Sequence, residues 1–125
     1  MLVFGNRRLG RAAELAVSRE IAAVLLRSVS DAARPNAAAH WELELVRWLD
    51  EHVARITRVD VIDVADIAFT PQHFDHQRRF LIDAIDRART TSEHARALGV
   101  WAGLIEAHPR DSVQVGRRWI WPPTV

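Results

Sequence analysis

The 125-residue chain contains no cysteine, no lysine and no tyrosine. Without cysteine there are no disulfides, thiolate zinc sites, iron–sulfur clusters or cysteine nucleophiles. All 17 basic residues are therefore arginine, and 16 acids bring the formal net charge to +1. That balance argues against blanket polyelectrolyte binding to nucleic acid. The lack of lysine, with alanine the commonest residue, reads most simply as codon bias of a GC-rich bacterial genome. Arginine also suits planar, bidentate contacts better than lysine does.

Long apolar runs are missing too. The longest clean one covers residues 21–26, between Glu20 and Arg27, and is far too short to span a bilayer. Residues 1–8 place their apolar side chains before Arg7 and Arg8, the reverse of a secretory signal. Glu14 and Glu20 come early for an organelle transit peptide. The expectation is a cytoplasmic protein with no membrane partner.

What remains is ordinary globular material: 49% hydrophobic and 26% charged residues exclude a disordered tail, a collagen-like chain or a rod. The length suits one core. There is no internal repeat and no linker, so residues 1–125 read as a single helical domain.

The predicted architecture is mainly α, a compact bundle of about four helices with a short terminal strand or ribbon. Val17, Ile21, Val24, Leu25 and Val29 mark an apolar stripe in a first helix from about Arg7 to Ala32. Pro35 stops it, and Asn36 can cap the next helix. Trp41, Leu45, Trp48, Leu49, Val53 and Ile56 form one face of that second helix, from about Ala37 to Ile56, which reads as core. Residues 59–69 carry strand-like valines and isoleucines, but Asp60, Asp63 and Asp66 at a spacing of three favour a short helix or irregular crossing. Thr70 and Pro71 mark the start of a third helix running to about Arg89. Thr90 and Glu93 have capping-box spacing before a fourth helix that reaches Ala107. Gly99 and Gly103, one turn apart in it, suggest a close packing neighbour. Residues 112–121 alternate like a strand, with Val113, Val115, Trp119 and Trp121 on one side, and Met1 to Phe4 can pair with it.

Motifs for chemistry are sparse. No serine sits in a Gly-x-Ser-x-Gly elbow, and the five glycines form no phosphate-binding loop. His73 and His76, three apart, can share a helix face, with His40 or His52 as a third metal ligand. There is no His-Glu-x-x-His pattern, and solvated surface histidines are the favoured reading. Arg117, Arg118, Trp119 and Trp121 interleave cations and indoles, a pattern able to grip nucleic acid. The same residues can equally lay their rings on the bundle and point guanidiniums at water. From Trp41 to Asp66, seven acids against three arginines leave a local charge of −4. Glu51, Asp60, Asp63 and Asp66 are therefore the candidate residues for steering a positive protein partner. The competing reading is neutralisation by the protein's own arginine-rich ends.

The stretch from His73 to Ala88, His-Phe-Asp-His-Gln-Arg-Arg-Phe-Leu-Ile-Asp-Ala-Ile-Asp-Arg-Ala, precedes a tryptophan-bearing helix and tail. In this half the chain resembles small helical immunity proteins of bacterial polymorphic-toxin systems. The resemblance implies a non-catalytic protein that binds and blocks a cognate toxin. It has no signature motif, so no residue role carries over, and the near-neutral charge departs from the acidic character common among such proteins. The expected function is thus a protein-interaction module without cofactor, able to form a homodimer. The alternatives are a nucleic-acid-binding or regulatory protein using the Arg/Trp-rich termini, and a metal-dependent enzyme centred on His73 and His76.

Overall fold

In a computed structural model, residues 1–7 and 14–108 are described, together with the backbone of 114–115 and 118–119. The protein is mainly α, with four helices and a small three-stranded sheet among the described residues. No helix of the described residues is long and apolar enough to cross a membrane.

The sheet is built around β1 (Leu2–Gly5). It pairs antiparallel with β2 (Leu15–Val17) and parallel with β3 (Val61–Asp63), in the order β2-β1-β3. Leu2 faces Val17 across the ladder, Phe4 faces both Leu15 and Ile62, and Gly5 faces Asp63. Directly opposed residues share a sheet face, so Leu2, Phe4 and Ile62 point together into the core, where all three are buried. A parallel pair needs a long crossover, which the first two helices supply.

Two expectations are corrected here. Residues 1–4 do not pair with the C-terminal tail. The tail makes its own antiparallel ribbon, β4 (Gln114–Val115) with β5 (Arg118–Trp119), in which Gln114 opposes Trp119 and Val115 opposes Arg118. Residues 15–17 are not helix: pairing with β1 satisfies their backbone groups in a ladder instead of in i→i−4 bonds.

The first helix, α1, is Arg19–Ala33. The Oγ of Ser18 accepts the Ile21 N–H at 3.1 Å, and Glu20 adds a favourable charge in the first turn. Its buried stripe is Ala22, Leu25, Leu26, Val29 and Ala33, whereas Val24 is exposed. A 3₁₀ turn over Arg34–Asn36 comes next, with Pro35 inside it, so Asn36 does not cap the second helix. That helix, α2, is His40–Ala54. Glu42 closes its start by accepting the N–H groups of Ala38 at 2.9 Å and Ala39 at 2.8 Å.

After β3 comes a 3₁₀ turn, Val64–Asp66, so residues 59–69 form an irregular crossing with a short 3₁₀ helix, as expected, and the strand Val61–Asp63 is the part that the spacing of the aspartates does not favour. Helix α3 is Phe74–Arg89 and helix α4 is Ala95–Glu106. Both start later than their apparent caps. The Thr70 N–H donates to Oε1 of the buried Gln77 at 2.8 Å, and Gln77 Nε2 donates to the Ala68 carbonyl at 3.1 Å. Thr70 and Pro71 therefore belong to a strap that Gln77 ties to α3. Thr90 closes α3 by donating its hydroxyl to the Arg87 carbonyl at 2.7 Å, and the Oγ of Ser92 accepts the His94 N–H at 3.0 Å.

One hydrophobic cluster joins β1, β3 and all four helices. Trp101 lies fully buried at its centre, its ring 5.1 Å from that of Phe4. The α1–α2 contact has a polar clasp: Ser30 donates to Asp50 at 2.5 Å, and Arg34 donates to both. Of the two α4 glycines, Gly99 lies under Arg89, whose guanidinium carbon would be 3.1 Å from an added Cβ. A Cβ at Gly103 would meet nothing within 4 Å, so the expected close packing neighbour is absent there among the described residues.

Candidate functional site

The acidic stretch is where the sequence points first, and its aspartates have different environments. Asp63 is buried at the carboxyl end of β3. One carboxylate oxygen accepts the Ala65 N–H at 2.8 Å, the other accepts the Arg7 N–H at 3.0 Å, and the Arg7 guanidinium lies 3.7 Å away. This carboxylate fixes the 3₁₀ turn to the end of β1. Asp63 is buried and its oxygens are taken up by bonds within the fold, which leaves it little to offer a docking partner. Asp66 is exposed and paired with Arg7 Nη2 at 3.0 Å. Asp60 is also exposed and ion-paired with Arg19, whose guanidinium further donates to the carbonyls of Ile56 and Val59. Glu51 lies exposed on α2. Arginines from outside the stretch thus meet all three aspartates, which favours neutralisation over a bare acidic ridge.

The histidine pair forms a different arrangement. His73 immediately precedes α3 and His76 lies in its first turn, both exposed. The Trp41 ring, from the first turn of α2, stacks on His73 at 5.5 Å with 16° between the planes. His76 and Phe80 border the same indole at 6.2 and 6.4 Å. Trp41 is only half-buried and stands outside the hydrophobic cluster, unlike Leu45, Trp48 and Leu49 further along its helix. The core assignment of Trp41 is corrected accordingly. Helical spacing gives the face of a residue but not where along the helix its neighbour ends. The lone hint in the sequence is that Trp41 falls in the first turn, beside the polar pair His40 and Glu42.

A cleft of about 420 Å³ opens beside this cluster, bounded by His40, Trp41, Glu44, Phe69, Thr70 and Gln77. Glu44 bonds ionically to Arg47 at 3.4 Å on its rim. Gln77 holds the 68–70 strap that forms the far wall, so the cleft shape depends on a buried amide. The arrangement can accept an apolar or aromatic side chain against the indole and hydrogen-bonding groups at the histidines. Among the described residues, no group of three or more His, Cys, Asp or Glu is placed to hold a metal ion. His52, a third ligand in the metal reading, instead bonds through Nδ1 to the Trp48 carbonyl at 2.8 Å and packs on the Trp48 ring.

The nucleic-acid reading rests on Arg117, Arg118, Trp119 and Trp121. Arg117 and Trp121 lie outside the described residues, and Arg118 and Trp119 are described only as backbone of β5. Comparison with protein-family models, with curated proteins and with solved structures finds no match to this chain.

Proposed function

We propose that this chain is a non-catalytic protein-interaction module of the cytoplasm, of the immunity type that binds and blocks a bacterial toxin, and that it docks through the Trp41 face. The observation that carries the reading is the Trp41 ring itself. A large indole left partly exposed, stacked on His73 and bordered by a cleft, has the makeup of an interface anchor. Buried cores of interfaces are enriched in such aromatics, and truncating a central tryptophan typically costs about 2 kcal/mol or more of binding. The acidic residues favoured by composition carry less weight, because Asp60, Asp63 and Asp66 each meet an arginine of the same chain.

The test is affinity purification from the native host, with wild type and Trp41→Ala compared in low and high salt, with and without nuclease. The expected result is one stoichiometric protein partner that survives nuclease and is lost with Trp41→Ala. A partner retained by a folded Trp41→Ala variant would contradict the reading. Recovery of nucleic acid that disappears at high salt would put the Arg/Trp-rich tail in its place.

A further inference from the structure

Half of the chain's six histidines surround one partly exposed indole. His73 stacks on the Trp41 ring at 5.5 Å, and His76 borders it at 6.2 Å. His40, its side chain 89% exposed, lines the same cleft as Trp41. None of the three is buried in the core. Imidazole is the side chain whose charge ordinarily changes between about pH 5 and 8. The face around Trp41 therefore carries a charge that pH sets.

The carboxylates of this face meet groups of the same chain. On α2, Glu42 accepts the Ala38 and Ala39 N–H groups, and Glu44 lies 3.4 Å from Arg47 and 3.9 Å from His40. On α3, Asp75 lies 3.9 Å from Arg78, which also donates to the carbonyls of Glu106 and His108. From α4, Glu106 shares a hollow of about 300 Å³ with His76, Arg78 and Arg79. The strap over residues 68–72 brings no charge. These four carboxylates and three arginines leave the face at −1 with neutral imidazoles and at +2 with all three protonated. The groups left to meet a partner are donors: His73, His76 and Arg79, which is exposed and has no ion pair among the described residues.

We propose that this face is a proton-gated docking site, whose protein partner presents an apolar side chain flanked by carboxylates. The proposal rests on docking through Trp41 and adds the partner's charge and the pH dependence. The apolar side chain lies against the indole, and the flanking carboxylates accept from the imidazolium and guanidinium groups around it. Carboxylates ordinarily stay ionised down to about pH 5. Acidification from about pH 8 to pH 6 thus charges the histidines and leaves the partner's acids as they are. Binding tightens as protons are taken up and weakens as they leave. The new pairs are exposed and individually weak, so their joint effect is smaller than that of the indole anchor.

Three capped peptides test this against the 15N-labelled full chain: Glu-Glu-Phe-Glu-Glu, Gln-Gln-Phe-Gln-Gln and Lys-Lys-Phe-Lys-Lys. Binding is followed through the Trp41 indole N–H signal, assigned with Trp41→Phe. The glutamate peptide should bind about fivefold more tightly near pH 6 than near pH 8, and near pH 6 more tightly than the neutral peptide. Replacing His40, His73 and His76 together by glutamine should remove that pH dependence. Arg79→Glu, an exposed change outside the indole stack, should weaken the glutamate peptide at both pH values. If the neutral peptide binds and the glutamate peptide gains nothing on acidification, the proposal is overturned while docking at Trp41 stands. A lysine peptide that binds tightest near pH 6 would overturn it as well. A Trp41 signal that none of the three moves would remove the docking reading and this proposal together.

Discussion

Asp63 is buried because it anchors other groups. Its two oxygens satisfy the N–H groups of Arg7 and Ala65, at the one place where the parallel strands end together. Removing a buried acceptor leaves its donors unpaired, a penalty of about 1–3 kcal/mol each. Asp63→Ala should therefore lower stability by about 2–3 kcal/mol, with the larger share from the buried Ala65 N–H. Asp66, exposed and paired with the same arginine, should lose about 1 kcal/mol or less on Asp66→Ala. Urea unfolding of the two variants checks this, and equal losses would contradict the roles assigned. The distinction is not legible in a run of aspartates spaced by three. It depends on whether each residue faces the sheet end or water, and a neighbour 56 residues away in sequence decides that. Trp41 escapes periodicity for a similar reason: its helical period is right, but the first turn of α2 lies beyond the edge of the core.

At the scale of elements, the helices are the most legible part. Leu45, Leu49, Leu81, Ile85, Leu98 and Ile105 stand on the faces that periodicity assigns them, and all are buried. Periodicity reports burial of one face, which any amphipathic helix needs in order to pack. The short strands are not legible because three-residue strands are specified by their partners. Residues 15–17 sit next to helix-favouring alanines, and residues 61–63 pair with a strand nearly sixty positions earlier. Caps differ from expectation where side chains have other work, as at Thr70, tied to Gln77, and Thr90, bonded back to α3. Gly103 gives an element-level prediction. A Cβ there meets nothing within 4 Å among the described residues, and glycine inside a helix costs about 0.5–1 kcal/mol against alanine. Gly103→Ala should raise stability by about that amount. Gly99→Ala should gain less, because Arg89 must move aside. Thermal melts of both variants decide; a loss at Gly103 would mean the position packs against something.

Across the whole molecule, a chain of near-zero net charge places its opposite charges side by side. Arg7 and Arg19, from outside the negative stretch, pair with Asp66 and Asp60, and Arg34 pairs with Asp50. Surface pairs of this kind add little stability, but they cancel the field that a steering surface requires. The acidic stretch is visible in the sequence, whereas its neutralisation depends on the sheet that brings residue 7 beside residues 63 and 66. The aromatic face owes its form to a different juxtaposition, the starts of α2 and α3 meeting at Trp41 and His73. In the proposed reading, recognition rests on shape and apolar contact, with charge in a minor role.

The most direct measurement is the dissociation constant for the partner recovered from the host, for wild type, Trp41→Ala and the double variant Asp60→Arg, Asp66→Arg. A loss of about 2 kcal/mol or more at an anchoring aromatic corresponds to about 30-fold weaker binding. Trp41→Ala should reach that figure, and the aspartate variant should bind like wild type. The reverse pattern, with Trp41→Ala unchanged and the charge reversals destructive, would return the docking surface to the acidic stretch and contradict the account.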